Sequence, residues 1–421
     1  MQSIQDPELL MLQYQQSQMA KQSAPRFSMQ GLENHVLFEL AFRPFFILAT
    51  FASLLALVMW ILLLNGNNIW QASGINSTIW HIHEMLFGFA ATVAVGFILT
   101  AAQTWTIQKS ISGRSLMFYT LLWLAIRFCF YYNTSFSITL AVFLQCCWWF
   151  VAIWVFYAMV KKSNNSRNFL FVPLLTAMMM LNTAILVTEL TGHTAFSLHL
   201  SRAGILLFTL LITILAGRVI PFFTQNGAKT TPILVPKWLE VILIPMSLLT
   251  GILFILSYFI DFSVLLAPML IALGCLHLLR LGFWKTVKTY KVPLLWSLHL
   301  AYFFMSIGLV GLGLSYNPFG FSAVQIPFSS ALHVITVGTI GLMIFAMMSR
   351  VSLGHTGRML VLNNLVVLAF VLLILATLIR AILPMLNLTM LSWNLSALLW
   401  MISAVIFLFI YVPILTKKRQ H

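Results

Sequence analysis

Charged side chains are scarce in this sequence: Asp, Glu, Lys and Arg together make up 7% of its 421 residues. A water-soluble globular protein carries roughly a quarter charged residues, because its surface must face water. Hydrophobic residues account for 61% of the chain, so most of its surface must face lipid. The scarcity of charge therefore excludes a soluble protein and indicates an integral membrane protein.

Cysteine is also rare and forms no recognisable motif. The sequence has 4 cysteines, and none of them belongs to a CxxC pair, so a disulfide framework is not expected. The lack of a CxxCH motif excludes covalent attachment of a c-type haem. Because all four fall in predicted membrane spans, we expect them to be small buried hydrophobic groups.

Acidic residues are outnumbered, with 8 Asp and Glu against 23 Lys and Arg and a net charge of +15. Such a balance is often a sign of nucleic-acid binding, but here the basic residues are not clustered in one block. They fall mainly in every second loop, as expected for signals of membrane topology and for contact with anionic lipid headgroups. We therefore expect these basic residues to contact the lipid bilayer and not nucleic acid.

Apolar runs of about 20 residues recur along the chain, each long enough to cross roughly 30 Å of hydrocarbon as a helix. The sequence has no series of segments in which apolar and polar residues alternate at period two, which excludes a β-barrel. The sequence predicts an all-α polytopic membrane protein of about twelve transmembrane helices, placed at 44–64, 80–106, 115–132, 136–160, 169–190, 197–223, 236–258, 263–285, 292–314, 328–350, 359–383 and 392–415.

The loops between these spans alternate between those that contain Lys or Arg and those that contain neither. Because basic loops stay inside, both termini are predicted to be cytoplasmic. Residues 1–35 are polar, lack the apolar core of a signal peptide, and are expected to form a cytoplasmic tail. Residues 36–421 are expected to form a single transmembrane domain. The sequence shows no clean internal duplication.

The second predicted span begins with three titratable residues, His81, His83 and Glu84. Ionisable groups inside a membrane are costly and are functional candidates by default. At 100° per residue, His81 and Glu84 share a helix face with Gly88, whereas His83 points nearly the opposite way. Glu84 is a candidate to orient His81 or to hold a proton. The glycine would allow a planar group or another helix to approach closely. The alternative is that both histidines are interfacial polar residues.

A second histidine, His333, lies near the outer end of the tenth span at a depth similar to that of His81. Thr336 and Gly341 share its predicted face, and an imidazole followed by small residues suits a helix that faces a porphyrin. The alternative is a core histidine whose hydrogen bonds are satisfied by the protein.

Other basic residues lie nearer the predicted cytoplasmic side. Arg350, His355 and Arg358 surround a Gly-His-Thr-Gly turn that could bind an anion or a propionate, or could simply be topology charge. Arg218 lies near the inner end of the sixth span, and His299 lies about two turns into the ninth.

Buried imidazoles combined with few carboxylates limit the choice of metal. Magnesium and calcium prefer oxygen ligands, whereas haem iron and copper both accept imidazole in an apolar pocket. The outer histidines could therefore build a haem with copper, or one bis-imidazole haem.

The chain resembles the NnrS family of bacterial membrane proteins, which is associated with nitric oxide stress. The resemblance covers about residues 36 to 415 and rests on five segments: LAFRPFF at 40–46, WHIHEMLFGFA at 80–90, GFILTAAQTWT at 96–106, GRVIPFFTQN at 217–226, and ALHVITVGTIGLMIFAMMSRVSLGHTGR at 331–358.

The resemblance implies a twelve-span protein of the bacterial inner membrane that contains haem b and copper and protects against nitric oxide and its iron–thiol complexes. The candidate metal ligands are His81, His83, His299 and His333, and Glu84 is the candidate proton relay. The other residues that it marks as candidates for cofactor binding are Arg218, Arg350, His355 and Arg358.

Three functions remain open from the sequence. The first is binding or conversion of nitric oxide or dinitrosyl-iron species at a His-ligated metal, with an electron donor that the sequence does not identify. The second is a transporter or channel for copper, haem or a small anion, which should place polar residues at successive depths along several helices. The third is a non-catalytic haem sensor or assembly factor, which needs no open coordination position.

Overall fold

The computed structural model describes residues 35–67, 74–317, 320 and 326–420. Twelve helices in this part of the chain are long and apolar enough to span a membrane, and no strand occurs in it. They are α1 Phe42–Leu64, α2 Ser77–Thr106, α3 Gly113–Tyr132, α4 Ser135–Lys162, α5 Ser166–Leu190, α6 Thr194–Gly227, α7 Lys237–Leu256, α8 Ser263–Phe283, α9 Pro293–Leu314, α10 Phe328–His355, α11 Asn364–Leu386 and α12 Thr389–Leu415.

The predicted all-α, twelve-span fold is confirmed. One boundary differs in a way that matters: α10 was expected to end near residue 350, but it continues to His355. His355 is therefore the last residue of a helix and not part of a turn. The predicted cytoplasmic tail, apart from His35, lies outside the described residues.

The centre of the molecule is formed by α2, α6 and α10, which contact one another pairwise. Between 67% and 78% of the apolar stretch of these helices and of α9 is buried, against at most 50% for the other spans. The peripheral helices direct large apolar side chains outward, including Phe128, Phe143 and Phe409. Such side chains belong in lipid, because water would make this exposed apolar surface unfavourable.

The first and last spans pack against each other, so that the chain closes into a ring. Arg43, which is only 1% exposed, donates from Nη1 to the carbonyl oxygens of Leu415 and Lys417, each at 2.9 Å. The last carbonyls of a helix have no partner within the helix, and here the arginine supplies one. The Arg-Pro pair in the LAFRPFF segment thus joins the start of α1 to the end of α12.

Two of the central helices contain long π-helical stretches. In α2 the stretch is Glu84–Ala91 and in α10 it is Val334–Gly341, and each begins directly after a histidine, His83 or His333. π-Helical turns are rare and occur frequently at functional sites. The predicted common face of Glu84 and Gly88 is nevertheless kept, because a Cβ on Gly88 would lie 3.3 Å from Oε2 of Glu84.

The two π stretches are 250 residues apart, and their packing repeats at the same spacing. A Cβ placed on Gly88 would lie 2.7 Å from Nη1 of Arg127 in α3. A Cβ on Gly338 would lie 2.6 Å from Cγ2 of Thr377 in α11. The π stretches, the histidines before them and the neighbours of these two glycines thus recur at one spacing, which the sequence alone did not reveal.

Candidate functional site

His333 is held in an orientation suited to metal binding. Its Nδ1 lies 2.6 Å from the carbonyl oxygen of Ser329, one helical turn earlier. A carbonyl oxygen can only accept, so the proton is on Nδ1 and the lone pair is on Nε2. Metal-binding histidines usually donate their other ring N–H to a carbonyl or carboxylate in this way. Nε2 of His333 has no hydrogen-bond partner among the described residues.

His81 lies at the outer end of α2, within electrostatic range of His333. The ring of His81 stacks on Trp60 of α1, with centroids 4.4 Å apart and planes inclined by 12°. Its Nδ1 is buried without a hydrogen-bond partner in the described part of the chain. Each of these two histidines, one on α2 and one on α10, therefore has a ring nitrogen without a partner in the described part of the chain.

Arg380 of α11 completes this outer cluster, and sequence reasoning missed it. The residue is 6% exposed, and its guanidinium lies within electrostatic range of both histidines. Nη2 donates to Oγ of Ser329 at 2.9 Å, and Cζ lies 5.7 Å from the ring centroid of Trp393. No carboxylate forms an ion pair with it among the described residues. Its position inside a predicted span was the signal that could have marked it.

His83 and Glu84 belong to a different, closed network. Nδ1 of His83 lies 3.2 Å from Oε1 of Glu84, and Nε2 lies 3.0 Å from Oδ1 of Asn182. Glu84 also forms a buried ion pair with Arg127, whose Nη2 donates to Gln145 at 3.2 Å. The expectation that Glu84 supports His81 is therefore wrong, because the carboxylate contacts His83 and Arg127 instead.

This network leaves His83 poorly placed as a metal ligand. Both of its ring nitrogens are within hydrogen-bond distance of a partner, and its ring stacks on Phe130 at 4.1 Å. Binding an ion would require one of those hydrogen bonds to break. Oε2 of Glu84, in contrast, is buried without a partner among the described residues, so the carboxylate keeps one oxygen free to take a proton.

His299 lies apart from the outer histidines. Its Nε2 is 2.8 Å from Oγ1 of Thr224, and its Nδ1 is 3.0 Å from Oγ1 of Thr286. The residue is fully buried on α9, and both ring nitrogens are occupied. The geometry is that of a core histidine satisfied by hydroxyl groups, and the structure does not bring it to the metal ligands predicted with it.

The small residues that follow His333 do not leave an open face for a planar ring. A Cβ on Gly341 would collide with the indole of Trp400 from α12, and one on Gly338 would lie 2.8 Å from the ring of Phe304. Similarly, Gly88 is covered by Arg127. The glycines serve close helix packing, so these positions do not hold a planar group.

Three of the predicted inner residues meet at the opposite end of α10. Arg218, Arg350 and His355 line a cavity of about 640 Å³, which we call the inner vestibule. Arg358 is not among its lining residues and lies 3.4 Å from the carbonyl oxygen of Thr356. Seventeen helical residues separate Arg350 from His333, a distance of about 25 Å. A propionate of a haem bound at His333 cannot span that distance.

A second, smaller cavity, the axial chamber, lies between α2, α6 and α10. It adjoins the vestibule, because Phe97, Leu215 and Val219 line both. All of its lining side chains are apolar, and Ala90 and Met343 are among them. Such a chamber suits an uncharged molecule and would be unfavourable for an ion.

Among the described residues, no group of three His, Cys, Asp or Glu is arranged to hold a metal ion. The outer cluster therefore offers two imidazoles and a cation, a set that fits a haem better than a free ion. No curated protein matches the chain. The family model described as NnrS protein, however, matches residues 36–419 of 421. The chain belongs to the NnrS protein family.

Proposed function

We propose that this protein is a haem-binding protein of the bacterial inner membrane that binds nitric oxide or related species in defence against nitrosative stress. The observation that carries the proposal is the outer cluster of His333, His81 and Arg380. His333 has its Nδ1–H fixed on the Ser329 carbonyl and its Nε2 free, as a haem ligand requires.

The residues of the outer cluster fit a haem in three respects. His333 and His81 supply imidazoles from two neighbouring helices. Arg380 is a buried cation without a carboxylate partner in the described part of the chain, and a propionate would neutralise it. Trp60 provides a flat apolar surface next to His81. Ferrous haem, once bound, supplies an iron that binds nitric oxide.

Copper fits less well. Two imidazoles are available, but the described residues contain no third His, Cys, Asp or Glu beside them. Copper is therefore implied by family resemblance alone, and we assign it no residues.

The two imidazoles differ in how firmly they are held. His333 is oriented by a 2.6 Å hydrogen bond, whereas His81 has only its stacking on Trp60. If both bind the same iron, His81 is the ligand that can be displaced. A displaceable ligand would open a position for nitric oxide, which separates this proposal from a non-catalytic haem sensor with two fixed ligands.

The axial chamber supports an uncharged ligand over a transported ion. Its walls are almost entirely apolar, and it lies along the axis between α2, α6 and α10. A copper ion or a small anion passing through it would have to lose its hydration without compensation. Nitric oxide carries no charge and has no such penalty, so the chamber favours binding of the gas over ion transport.

The test is purification of the full chain, metal analysis, and optical and EPR spectra of the reduced protein before and after addition of nitric oxide. The wild type should contain haem and respond to nitric oxide. His333→Ala should lose most of its haem, whereas His193→Ala, an exposed outer histidine, should keep it. A well-folded wild type without a Soret band would refute the proposal.

A further inference from the structure

The inner vestibule is a second candidate binding site, at the end of the molecule opposite the outer cluster. It lies between the ends of α2, α5, α6 and α10, on the face predicted to be cytoplasmic, and has a volume of about 640 Å³. Cavities of roughly 300–1,000 Å³ are typical of sites for organic ligands. Aromatic side chains form much of its wall, including Phe97, Trp105 and Phe223.

The vestibule carries positive charge without compensation. Arg167, Arg218 and Arg350 line it, and no Asp or Glu occurs among its described lining residues. Arg218 donates only to neutral acceptors, Oδ1 of Asn168 at 2.8 Å and the Arg167 carbonyl at 3.1 Å. Guanidinium groups gathered without a carboxylate favour an anion, and phosphate and carboxylate match their planar fork.

Arg350 is the least satisfied of these groups. Its Cζ lies 3.7 Å from the ring centroid of Phe223, and this stacking holds the guanidinium at the cavity wall. The described part of the chain provides it with no hydrogen-bond acceptor and no ion-pair partner. A partly buried cation held in place by an aromatic ring is prepared for a ligand that supplies negative charge.

The rim of the vestibule indicates where that ligand comes from. Phe222 lines the cavity and is 59% exposed, and Leu360 is a second apolar rim residue at 43%. Exposed apolar side chains next to arginines are expected where a cavity opens at the boundary between lipid acyl chains and headgroups. A soluble anion would gain nothing from such a rim.

We propose that the inner vestibule binds an anionic phospholipid. Arg218 and Arg350 hold the phosphate of its headgroup, and an acyl chain passes Phe222 into the bilayer. Basic pockets between transmembrane helices on the cytoplasmic side are known sites for anionic headgroups. Bound lipid would connect α6 to α10, two of the three central helices, at the end where the cavity separates them.

The experiment is native mass spectrometry of the full chain in detergent, titrated with phosphatidylglycerol or phosphatidylethanolamine. The wild type should retain phosphatidylglycerol preferentially. Each basic residue at an anionic lipid surface is worth about a factor of five in affinity. Arg350→Gln should therefore weaken retention about fivefold and the Arg218→Gln/Arg350→Gln double variant by more than tenfold.

Two controls keep the result interpretable. Lys288→Gln removes one exposed positive charge from the same predicted face, away from the cavity, and should leave lipid retention unchanged. Arg350→Lys keeps the charge but not the planar fork, and should retain more lipid than Arg350→Gln, which separates lost charge from lost folding.

Three results would overturn the proposal. The first is equal retention of both lipids by the wild type. The second is undiminished phosphatidylglycerol binding by the double variant. The third is displacement of the lipid by millimolar inorganic phosphate, which would assign the vestibule to a soluble anion instead.

Discussion

Two buried arginines near the π stretches differ in whether a carboxylate neutralises them. In α3, Arg127 is 4% exposed and is neutralised by Glu84. In α11, Arg380 is 6% exposed and has no carboxylate among the described residues. The position 250 residues before Arg380 is Phe130, which stacks on His83. Arg127 thus has a carboxylate partner within the protein, whereas Arg380 has none in the described part of the chain.

The first residue-scale prediction concerns the closed network. Arg127→Ala leaves Glu84 as a buried, unpaired carboxylate, and breaking a buried ion pair costs roughly 3–5 kcal/mol. We expect a large loss of folded protein and a lower thermal midpoint, measured by detergent-based thermal unfolding. Adding Glu84→Gln should recover part of the loss, since the unpaired charge is then absent.

Lys109→Ala removes an exposed charge and should change the thermal midpoint little, which makes it the reference for this series. If Arg127→Ala had the same thermal midpoint as Lys109→Ala, the Glu84–Arg127 ion pair would not contribute to stability.

The second residue-scale prediction concerns the open cluster. Arg380→Gln removes the cation proposed to pair with a haem propionate. A hydrogen bond to a charged group contributes about 1.5–3 kcal/mol, so haem affinity should fall at least about tenfold. The measurement is haem retained after gel filtration, together with the thermal midpoint of the haem-free protein.

Arg114→Gln, at the start of α3 and exposed, is the matched control and should retain haem like the wild type. If Arg380→Gln kept its full haem content, the propionate role of Arg380 would be excluded, while the ligand role of His333 would stand.

At the scale of elements, the π stretches bring helices unusually close. Gly338 lies against Thr377 and Phe304 so tightly that a Cβ would approach both within 2.8 Å. Overpacking of a filled core costs about 1–3 kcal/mol. Gly338→Ala should therefore lower the thermal midpoint clearly, as measured by thermal unfolding in detergent.

Gly251 of α7 is the natural comparison, because a Cβ there would meet nothing within 4 Å. Gly251→Ala should be neutral or slightly stabilising, by up to about 1 kcal/mol, since alanine is the better helix former. Equal destabilisation by both substitutions would mean that the effect reflects glycine in membrane helices in general and not packing at the π stretch.

The elements themselves were predictable from sequence, but their internal geometry was not. Long apolar runs marked all twelve spans, because a helix must have about 20 such residues to cross a bilayer. An apolar run has the same composition whether its turns are α or π, so nothing in the residues 84–91 indicated the wider turn. The expected pairing of Glu84 with His81 failed for another reason: the carboxylate is paired with Arg127, which comes from α3.

The site was predictable only in part, because its partners come from distant helices. The depth of His81 and His333 follows from their place in each span, and the two lie within electrostatic range of each other. The sequence pattern also placed His299 inside a span, yet two threonine hydroxyls form hydrogen bonds with its two ring nitrogens. Hydrogen bonds between α9, α6 and the loop before α9 leave no trace in a single sequence.

At the scale of the whole molecule, the chain closes as a ring around α2, α6 and α10. Arg43 attaches the start of α1 to the last carbonyls of α12, so the first and last helices cannot separate without breaking both of these hydrogen bonds. The outer cluster includes residues from early and late helices: His81 stacks on Trp60 of α1, and Arg380 lies on α11. The proposed haem site therefore depends on both ends of the chain.

The orientation of this ring in the membrane is the last prediction. Basic residues alternate between loops, which places both termini and the inner vestibule in the cytoplasm and the outer cluster on the far side. Asn387, between α11 and α12, and Lys288, between α8 and α9, are both exposed and lie on opposite faces. In intact cells a membrane-impermeant thiol reagent should label Asn387→Cys, whereas Lys288→Cys should be labelled only after permeabilisation. The wild type, with its 4 native cysteines, sets the background. The reverse labelling pattern would contradict this orientation. The outer cluster would then lie on the cytoplasmic side and the inner vestibule on the far side.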